Sequence, residues 1–225
     1  MNVLGFDTAT PTTAVALLSD AGELHEASDQ VPHDSRGQHA QRLLVLAADL
    51  LERAALGWRD VDLIAVGLGP GGYTGLRIGL ATARGLALAH GSALAGVGTL
   101  RALAEPVSGA TALALLDARR GELFVAAYMD DVEVLAPRVI APTELAGLLP
   151  AATEPALLAL GDGAIAQRQS LEHAGVAVPA DDSPLHAVHG GSICRLAAAG
   201  HGTGELVPLY LRRPDAERAL SALRR

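Results

Sequence analysis

The segment Gly69-Pro70-Gly71-Gly72-Tyr73-Thr74-Gly75-Leu76-Arg77-Ile78-Gly79 constrains the fold more than any other part of the chain. An apolar, strand-like run from Asp60 to Leu68 leads into it, and a small-residue helix from Tyr73 to about Ala89 leads out. Glycines let a backbone bend sharply and approach a neighbour closely, so Gly69, Gly71, Gly72 and Gly75 are expected to build a structural turn between strand and helix. A helix N-terminus reached through such a turn presents N–H groups that suit an anion. No lysine follows, however, so the G-x-x-x-x-G-K-[ST] phosphate loop is excluded. The first strand is not followed by G-x-G-x-x-G either, which argues against a dinucleotide fold.

The rest of the chain reads as an alternation of strands and helices. Asn2–Asp7, Thr12–Leu18 and Glu23–Ser28 are expected strands, with Asp20-Ala21-Gly22 as the turn before the third. Gln38–Ala54 is an expected helix, since Leu43, Leu44, Ala47, Leu50, Leu51 and Ala54 recur at three- and four-residue spacing. A second set follows, with strands Thr111–Leu116, Leu123–Met129 and Glu133–Ile140. A short helix starts at Pro142, and a strand over Ala156–Leu160 is closed by Gly161-Asp162-Gly163. Helices are expected over Ala164–His173 and Leu185–Ala199. Asp117 ends the first strand of the second set as Asp7 ends the first strand of the chain, which points to an internal duplication with a boundary near 105–109. The expected division is 1–105 plus 185–225 as one domain and 106–184 as a smaller second one.

Composition removes several classes of function. Half of the residues are hydrophobic but only 3% are aromatic, so the core must be built from Ala, Leu and Val. No apolar run reaches the roughly 18 residues of a membrane span, and no basic, apolar leader opens the chain. Cys194 is the sole cysteine, which excludes an internal disulfide and favours the cytoplasm. The net charge is −8, and all 17 basic residues are arginine. Without lysine there is no Schiff-base chemistry, and an acidic chain is a poor candidate for gripping RNA through its own field.

Five motifs in order carry a resemblance to a known family. They are Leu4-Gly5-Phe6-Asp7-Thr8-Ala9-Thr10, His39-Ala40-Gln41-Arg42-Leu43, the glycine segment, Asp117-Ala118-Arg119 with Gly121-Glu122, and Pro208-Leu209-Tyr210-Leu211-Arg212. Together they resemble the TsaB (YeaZ) family of the actin-like ATPase/sugar-kinase/Hsp70 superfamily. The resemblance implies an α/β, actin-like (ASKHA) fold of two ribonuclease-H-like halves, with mixed sheets flanked by helices. It implies a non-catalytic, activating subunit of the bacterial complex that transfers a threonylcarbamoyl group to adenosine next to the anticodon of tRNA. The implied partners are TsaD as heterodimer and TsaE as ATPase, with a homodimer where TsaD is absent and tRNA contacted mainly through the complex. No cofactor is expected on the chain alone, and ATP or ADP at the junction with TsaD is compatible with the resemblance.

By the same resemblance, Asp7, Thr8 and Thr10 occupy the first phosphate position, Asp117 and Arg119 the second, and Gly161 and Gly163 the adenosine position. Kinase-like members carry D-x-G where this chain has Asp117-Ala118-Arg119, so independent ATP hydrolysis is not expected. Arg119 presents a planar fork suited to a carboxylate or phosphate. Leu43, Leu44, Leu76, Leu80 and Arg84 are the expected partner-facing residues, and Gly75, Gly79, Ala83 and Ala87 form a flat ridge at four-residue spacing that another helix could approach. Two other classes stay open: a self-sufficient ATP-dependent phosphotransferase or ATPase of sugar-kinase type, and a metallopeptidase-like protein. The second would need an H-x-x-x-H pair, yet His39 has Leu43 at the fourth position. His33 is separated from His39 by Gly37, and the His186/His189 pair has no nearby carboxylate or cysteine. No metal site is expected. Cys194, in an apolar helix, reads as packing rather than as a nucleophile.

Overall fold

The computed structural model describes residues 1–30, 38–148 and 156–212. Three strands open the chain, β1 (Val3–Asp7), β2 (Thr12–Leu18) and β3 (Leu24–Gln30). They are followed by α1 (Gln38–Arg53), β4 (Leu63–Gly67), α2 (Tyr73–His90), β5 (Ala93–Val97) and α3 (Thr99–Ala104). The second set is β6 (Thr111–Arg119), β7 (Glu122–Met129), β8 (Val132–Ile140), α4 (Leu145–Leu148), β9 (Leu157–Leu160), α5 (Asp162–Ala166) and α6 (Arg168–His173). Helix α7 (Gly190–Ala198) is the last element among the described residues.

The strands form a five-stranded sheet in the order β3-β2-β1-β4-β5 and a four-stranded sheet in the order β8-β7-β6-β9. In each, the first strand pairs antiparallel with the next and parallel with a later one: β1 with β2 and β4, β6 with β7 and β9. Helices α1 and α2 cover one face of the first sheet, where Leu4, Phe6, Leu43, Leu50, Ile64, Leu76 and Leu80 share a core. Its other face meets α7, which packs on α3, and the second sheet closes on α3 from beyond. That middle layer is rich in alanine, with Ala65, Ala102, Ala104, Ala114 and Ala126 among its members. Small side chains let the two sheets clasp one helix pair closely, so the two halves share a core. Helices α4, α5 and α6 cover the far face of the second sheet. The result is the actin-like arrangement of two ribonuclease-H-like halves.

Several expectations need correction. Strand β4 begins at Leu63 rather than Asp60, because Trp58–Asp60 forms a 3-10 turn in which the Asp60 carboxylate accepts from the Gly57 N–H at 2.7 Å. Helix 164–173 is two helices, broken at Gln167. The last helix starts at Gly190, after a separate turn over Pro184–His186. Strand β5 and helix α3 have no counterpart in the sequence reading. Residues 213–225 of the expected first domain lie outside the described residues.

Candidate functional site

The glycine turn and the β1–β2 turn interlock. Gly69 has φ +88, a value that glycine adopts freely, and it turns the chain out of β4. A Cβ on Gly71 would sit 2.2 Å from the Ala9 carbonyl oxygen, and one on Gly75 would sit 1.9 Å from that of Thr8. The Gly72 N–H donates to Ala9 O at 2.6 Å, and the Thr8 hydroxyl donates to Gly75 O at 2.7 Å. The small-residue ridge of α2 therefore faces inward: Gly75, Gly79 and Ala83 are buried. Its role is to admit the Thr8–Ala9 backbone, not a helix from another chain.

Beneath this interlock lies Asp7, fully buried. Its Oδ1 accepts from the Ala9 N–H at 2.8 Å, and its Oδ2 accepts from the Thr99 hydroxyl at 2.7 Å. Thr99 Oγ1 in turn accepts from the Gly69 N–H at 3.1 Å, and the Thr99 N–H donates to Gly69 O at 2.8 Å. Desolvation pushes the Asp7 carboxyl above its ordinary value, against the opposing hydrogen bonds of Thr99 and of the Ala9 and Thr10 backbone. The residues that the resemblance assigns to a first phosphate position are thus bonded within the protein. Asp7 and Thr8 are buried and bonded, and only Thr10 is half-exposed, its hydroxyl 3.3 Å from Thr12 O.

The second position is different. Asp117 is exposed at the end of β6. Its N–H donates to Asp162 Oδ1 at 2.9 Å, and its Oδ1 accepts from the Arg119 N–H at 2.7 Å. Arg119 has φ +66, and its guanidinium lies 3.8 Å from Asp117 Oδ2. The chain therefore gathers Asp117, Arg119 and Asp162 at one strand end. Gly161 and Gly163 are buried beside them and packed on β6: a Cβ on Gly161 would meet Leu115 O at 2.0 Å. Those glycines serve close strand–helix contact.

The histidines are tied to the protein itself. His39 Nδ1 lies 2.8 Å from the Thr13 hydroxyl, and burial lowers its pKa. With Nε2 protonated, His186 donates to Pro179 O at 3.1 Å while Nδ1 accepts from the Gly161 N–H at 3.1 Å. His189 Nε2 lies 2.8 Å from Pro184 O. His33 lies outside the described residues, among which no three His, Cys, Asp or Glu side chains gather as a metal site would require. The Cys194 thiol packs 3.5 Å from both Val3 O and Ala16 O, and burial pushes its pKa up to about 12. A thiol so held is no nucleophile at neutral pH.

The expected partner face must be redrawn. Leu43, Leu76 and Leu80 are 0%, 1% and 4% exposed, because they point from α1 and α2 into the first sheet. Leu44 is 43% exposed and Arg84 lies on the outer side of α2, its guanidinium donating to Leu206 O at 2.8 Å. Beside Leu44 stand Val45 and Ala48, and along α2 stand Ala81, Gly85 and Leu88, the last 90% exposed. Helices α1 and α2 touch, so these residues belong to neighbouring outer faces. Val45 was missed for want of a signal separating the two apolar sides of α1. Among the described residues, no helix is long and apolar enough to cross a membrane.

Comparison with known proteins places this arrangement. The family model of TsaD, tRNA N6-adenosine threonylcarbamoyltransferase, matches residues 24–170. An uncharacterized protein of Mycobacterium tuberculosis is 34% identical over 215 residues, covering 96% of this chain and 93% of its own. The tRNA threonylcarbamoyladenosine biosynthesis protein TsaB of Escherichia coli is 38% identical over 135 residues, covering 58% of this chain and 56% of that protein. A crystal structure from Pseudomonas aeruginosa, of a protein with similarity to peptidase YeaZ, superposes with a TM-score of 0.77 at 30% identity, covering 94% of this chain and 99% of that one. The chain belongs to the TsaD-type family, within its TsaB/YeaZ branch.

Proposed function

We propose that this chain acts in the biosynthesis of threonylcarbamoyladenosine in tRNA as a non-catalytic subunit that binds and activates TsaD. TsaB relatives carry the first part of the reading by name. The second part rests on one observation above all: the strand end that a kinase-like member would open to phosphate is filled here by Asp7, Thr8, Thr99 and the glycine turn. A chain that blocks that position with its own hydrogen bonds has no room there for phosphoryl chemistry. What it does expose is the apolar face of α1 and α2, with Leu44, Val45 and Leu88, and an exposed patch of this kind suits a partner.

In this reading TsaD performs the transfer, TsaE supplies ATP hydrolysis, and this chain favours TsaD's active state by binding that state more tightly than its alternatives. Without TsaD the same face would pair two copies of this chain. A nucleotide, ATP or ADP, would sit at the junction with TsaD, with Asp117 and Arg119 the candidates from this side. The setting is the cytoplasm, where tRNA is modified.

The test is co-purification with TsaD from the same source, followed by tRNA modification with and without this chain. Leu88→Glu and Leu44→Arg are expected to abolish the complex and to lower modification to the level of TsaD without this chain, while circular dichroism stays unchanged. Full assembly by both variants would overturn the docking face. Magnesium-dependent ATP turnover by the purified chain alone would overturn the non-catalytic reading and restore the sugar-kinase alternative.

A further inference from the structure

The segment after α7 has little regular structure, yet it touches both halves at several points. His201 Nε2 lies 3.4 Å from Asp131 Oδ1, in the β7–β8 turn, where Arg101 also binds Asp130 O and Asp131 beside a cavity of about 300 Å³. Thr203 pairs antiparallel with Gly96 on the edge strand β5. Leu206 is buried in the core under α1 and α2, and its carbonyl accepts from Arg84. The Leu209 N–H donates to Leu68 O at 2.7 Å, just before the glycine turn. Tyr210 tilts against Tyr73 with ring centroids 5.2 Å apart, and its hydroxyl accepts from Arg77 Nε at 3.0 Å. The Arg77 guanidinium also lies 3.9 Å over the Tyr73 ring. Leu211 packs on the shared core, and Arg212 binds Ala118 O and lies 3.3 Å from Glu122 Oε2 in the second half. Residues 130–131 and 118–122 lie at opposite ends of β7, so this one stretch meets both ends of the second sheet while crossing the first.

We propose that residues 201–212 form a strap that couples the outer face of α2 to the Asp117–Arg119–Asp162 cluster of the second half. This deepens the docking reading given above and rests on it for the identity of the α2 occupant. The reasoning turns on where the arginines stand. Arg77 and Arg84 lie on the exposed side of α2, yet each gives a hydrogen bond to the strap. A partner helix bearing carboxylates on α2 would draw those guanidinium groups away, since charge-assisted bonds are stronger than bonds to a phenol or a carbonyl. Paired backbone bonds at Thr203 and the buried Leu206 hold the strap's first half, whereas the Arg84 and Arg77 bonds are its exposed anchors, so the loss of both would loosen the end beyond Leu206. Release would free Arg212 from Ala118 O, next to Asp117. Both ends then bias one two-state element, which is the physical requirement for coupling.

The experiment is amide hydrogen exchange, first on the purified chain and then on its complex with TsaD. Tyr210→Phe removes only the hydroxyl that Arg77 binds, and Arg77→Ala removes the donor. Both are expected to raise exchange at least fivefold at Leu209 and, across the molecule, at residues 117–122. Leu88→Glu, away from the strap, is expected to leave 117–122 unchanged. Faster exchange confined to 203–212, with 117–122 as in the parent chain, would overturn the coupling. In the complex, TsaD is expected to alter exchange at 117–122 in the parent chain and to lose that effect with Tyr210→Phe while still binding. Retention of the effect in Tyr210→Phe would overturn the strap as its carrier. Failure of TsaD to bind the parent chain would remove the docking reading, while the measurements on the chain alone would still decide for or against the strap.

Discussion

The two halves of the molecule carry the same residue type at or near the end of their first strands and treat it in opposite ways. Asp7 closes β1, and Asp117 stands at the bulge two residues before the end of β6, each strand pairing antiparallel with its successor and parallel with a later strand. Asp7 is sealed under α2 and α3, with its two oxygens bonded to Ala9 and Thr99. The Asp117 carboxylate faces solvent and accepts from the Arg119 N–H of its own turn, while the Asp117 N–H donates to Asp162. The first half carries β5 and α3 beyond its second helix, and these supply Thr99; in the corresponding place the second half has only an isolated parallel bridge from Ala177 to β9 and a 3-10 turn over Pro184–His186. The same topological carboxylate is thus a structural knot in one half and a surface group in the other. Position in a fold sets where a side chain starts, and the elements packed around it set what it can do.

The sharpest way to break this comparison is to prise open the interlock of the first half. Gly75→Ala places a Cβ 1.9 Å from the Thr8 carbonyl oxygen, a backbone atom that cannot swing aside. Overpacking of this severity is expected to cost about 3 kcal/mol. On the outer side of the same helix, a Cβ on Gly85 meets nothing within 4 Å. Gly85→Ala should therefore stabilise α2 by up to about 1 kcal/mol. Urea denaturation followed by the fluorescence of the single tryptophan, Trp58, measures both. Equal midpoints for the two variants would mean that the glycine turn is loose, and the contrast between the halves would lose its basis.

Next in size is Asp7→Ala. It strands the Thr99 hydroxyl and the Ala9 N–H in a dry site, at a cost of about 2 kcal/mol. Asp7→Asn keeps the shape and tests the charge. The folded pKa of Asp7 is raised above its unfolded value, so its contribution is fully present below the unfolded value, near pH 4, and is lost as pH rises through the folded one. The asparagine variant has no such loss. Its stability relative to the parent chain is expected to rise between pH 4 and pH 7, read as diverging urea midpoints. A constant difference across that range would show that Asp7 does not titrate differently in the folded state.

The contrast between the halves also shows where sequence is informative. Strands β1 to β3 and β6 to β8 were legible to within two or three residues at each end, because their alternation and β-branched residues leave few alternatives. The start of α2 at Tyr73 was legible from the glycines before it. Strand β5 was not. Ala93-Leu94-Ala95-Gly96-Val97 has one β-branched residue, and it is a strand because Gly96 lets Leu68 lie within 2.6 Å of where its Cβ would be. With β5 unseen, Thr99 on the next helix had no place in the reading, and Asp7 looked free to meet a ligand. Leu43 and Leu44 were both recognised as apolar, but only the three-dimensional packing tells that Leu43 enters the core and Leu44 leaves it. Likewise Tyr210 and Arg212 stood out as a motif, while their tethers to Arg77 and Ala118 bridge more than 90 residues of chain and leave no local trace.

The smallest effect completes the comparison. Asp117→Ala removes an exposed carboxylate whose bond to the Arg119 N–H sits at the surface, where water can replace it. Its cost is expected to stay within about 0.5 kcal/mol, against about 2 kcal/mol for the matching change at Asp7. The φ of +66 at Arg119 is the one reason for a larger value, since a surface bond that holds a strained turn is worth more than one that does not. Urea midpoints of Asp7→Ala and Asp117→Ala, measured side by side at pH 7, separate the two cases. Equal costs would mean that Asp117, too, is a structural knot that braces the turn at the end of β6.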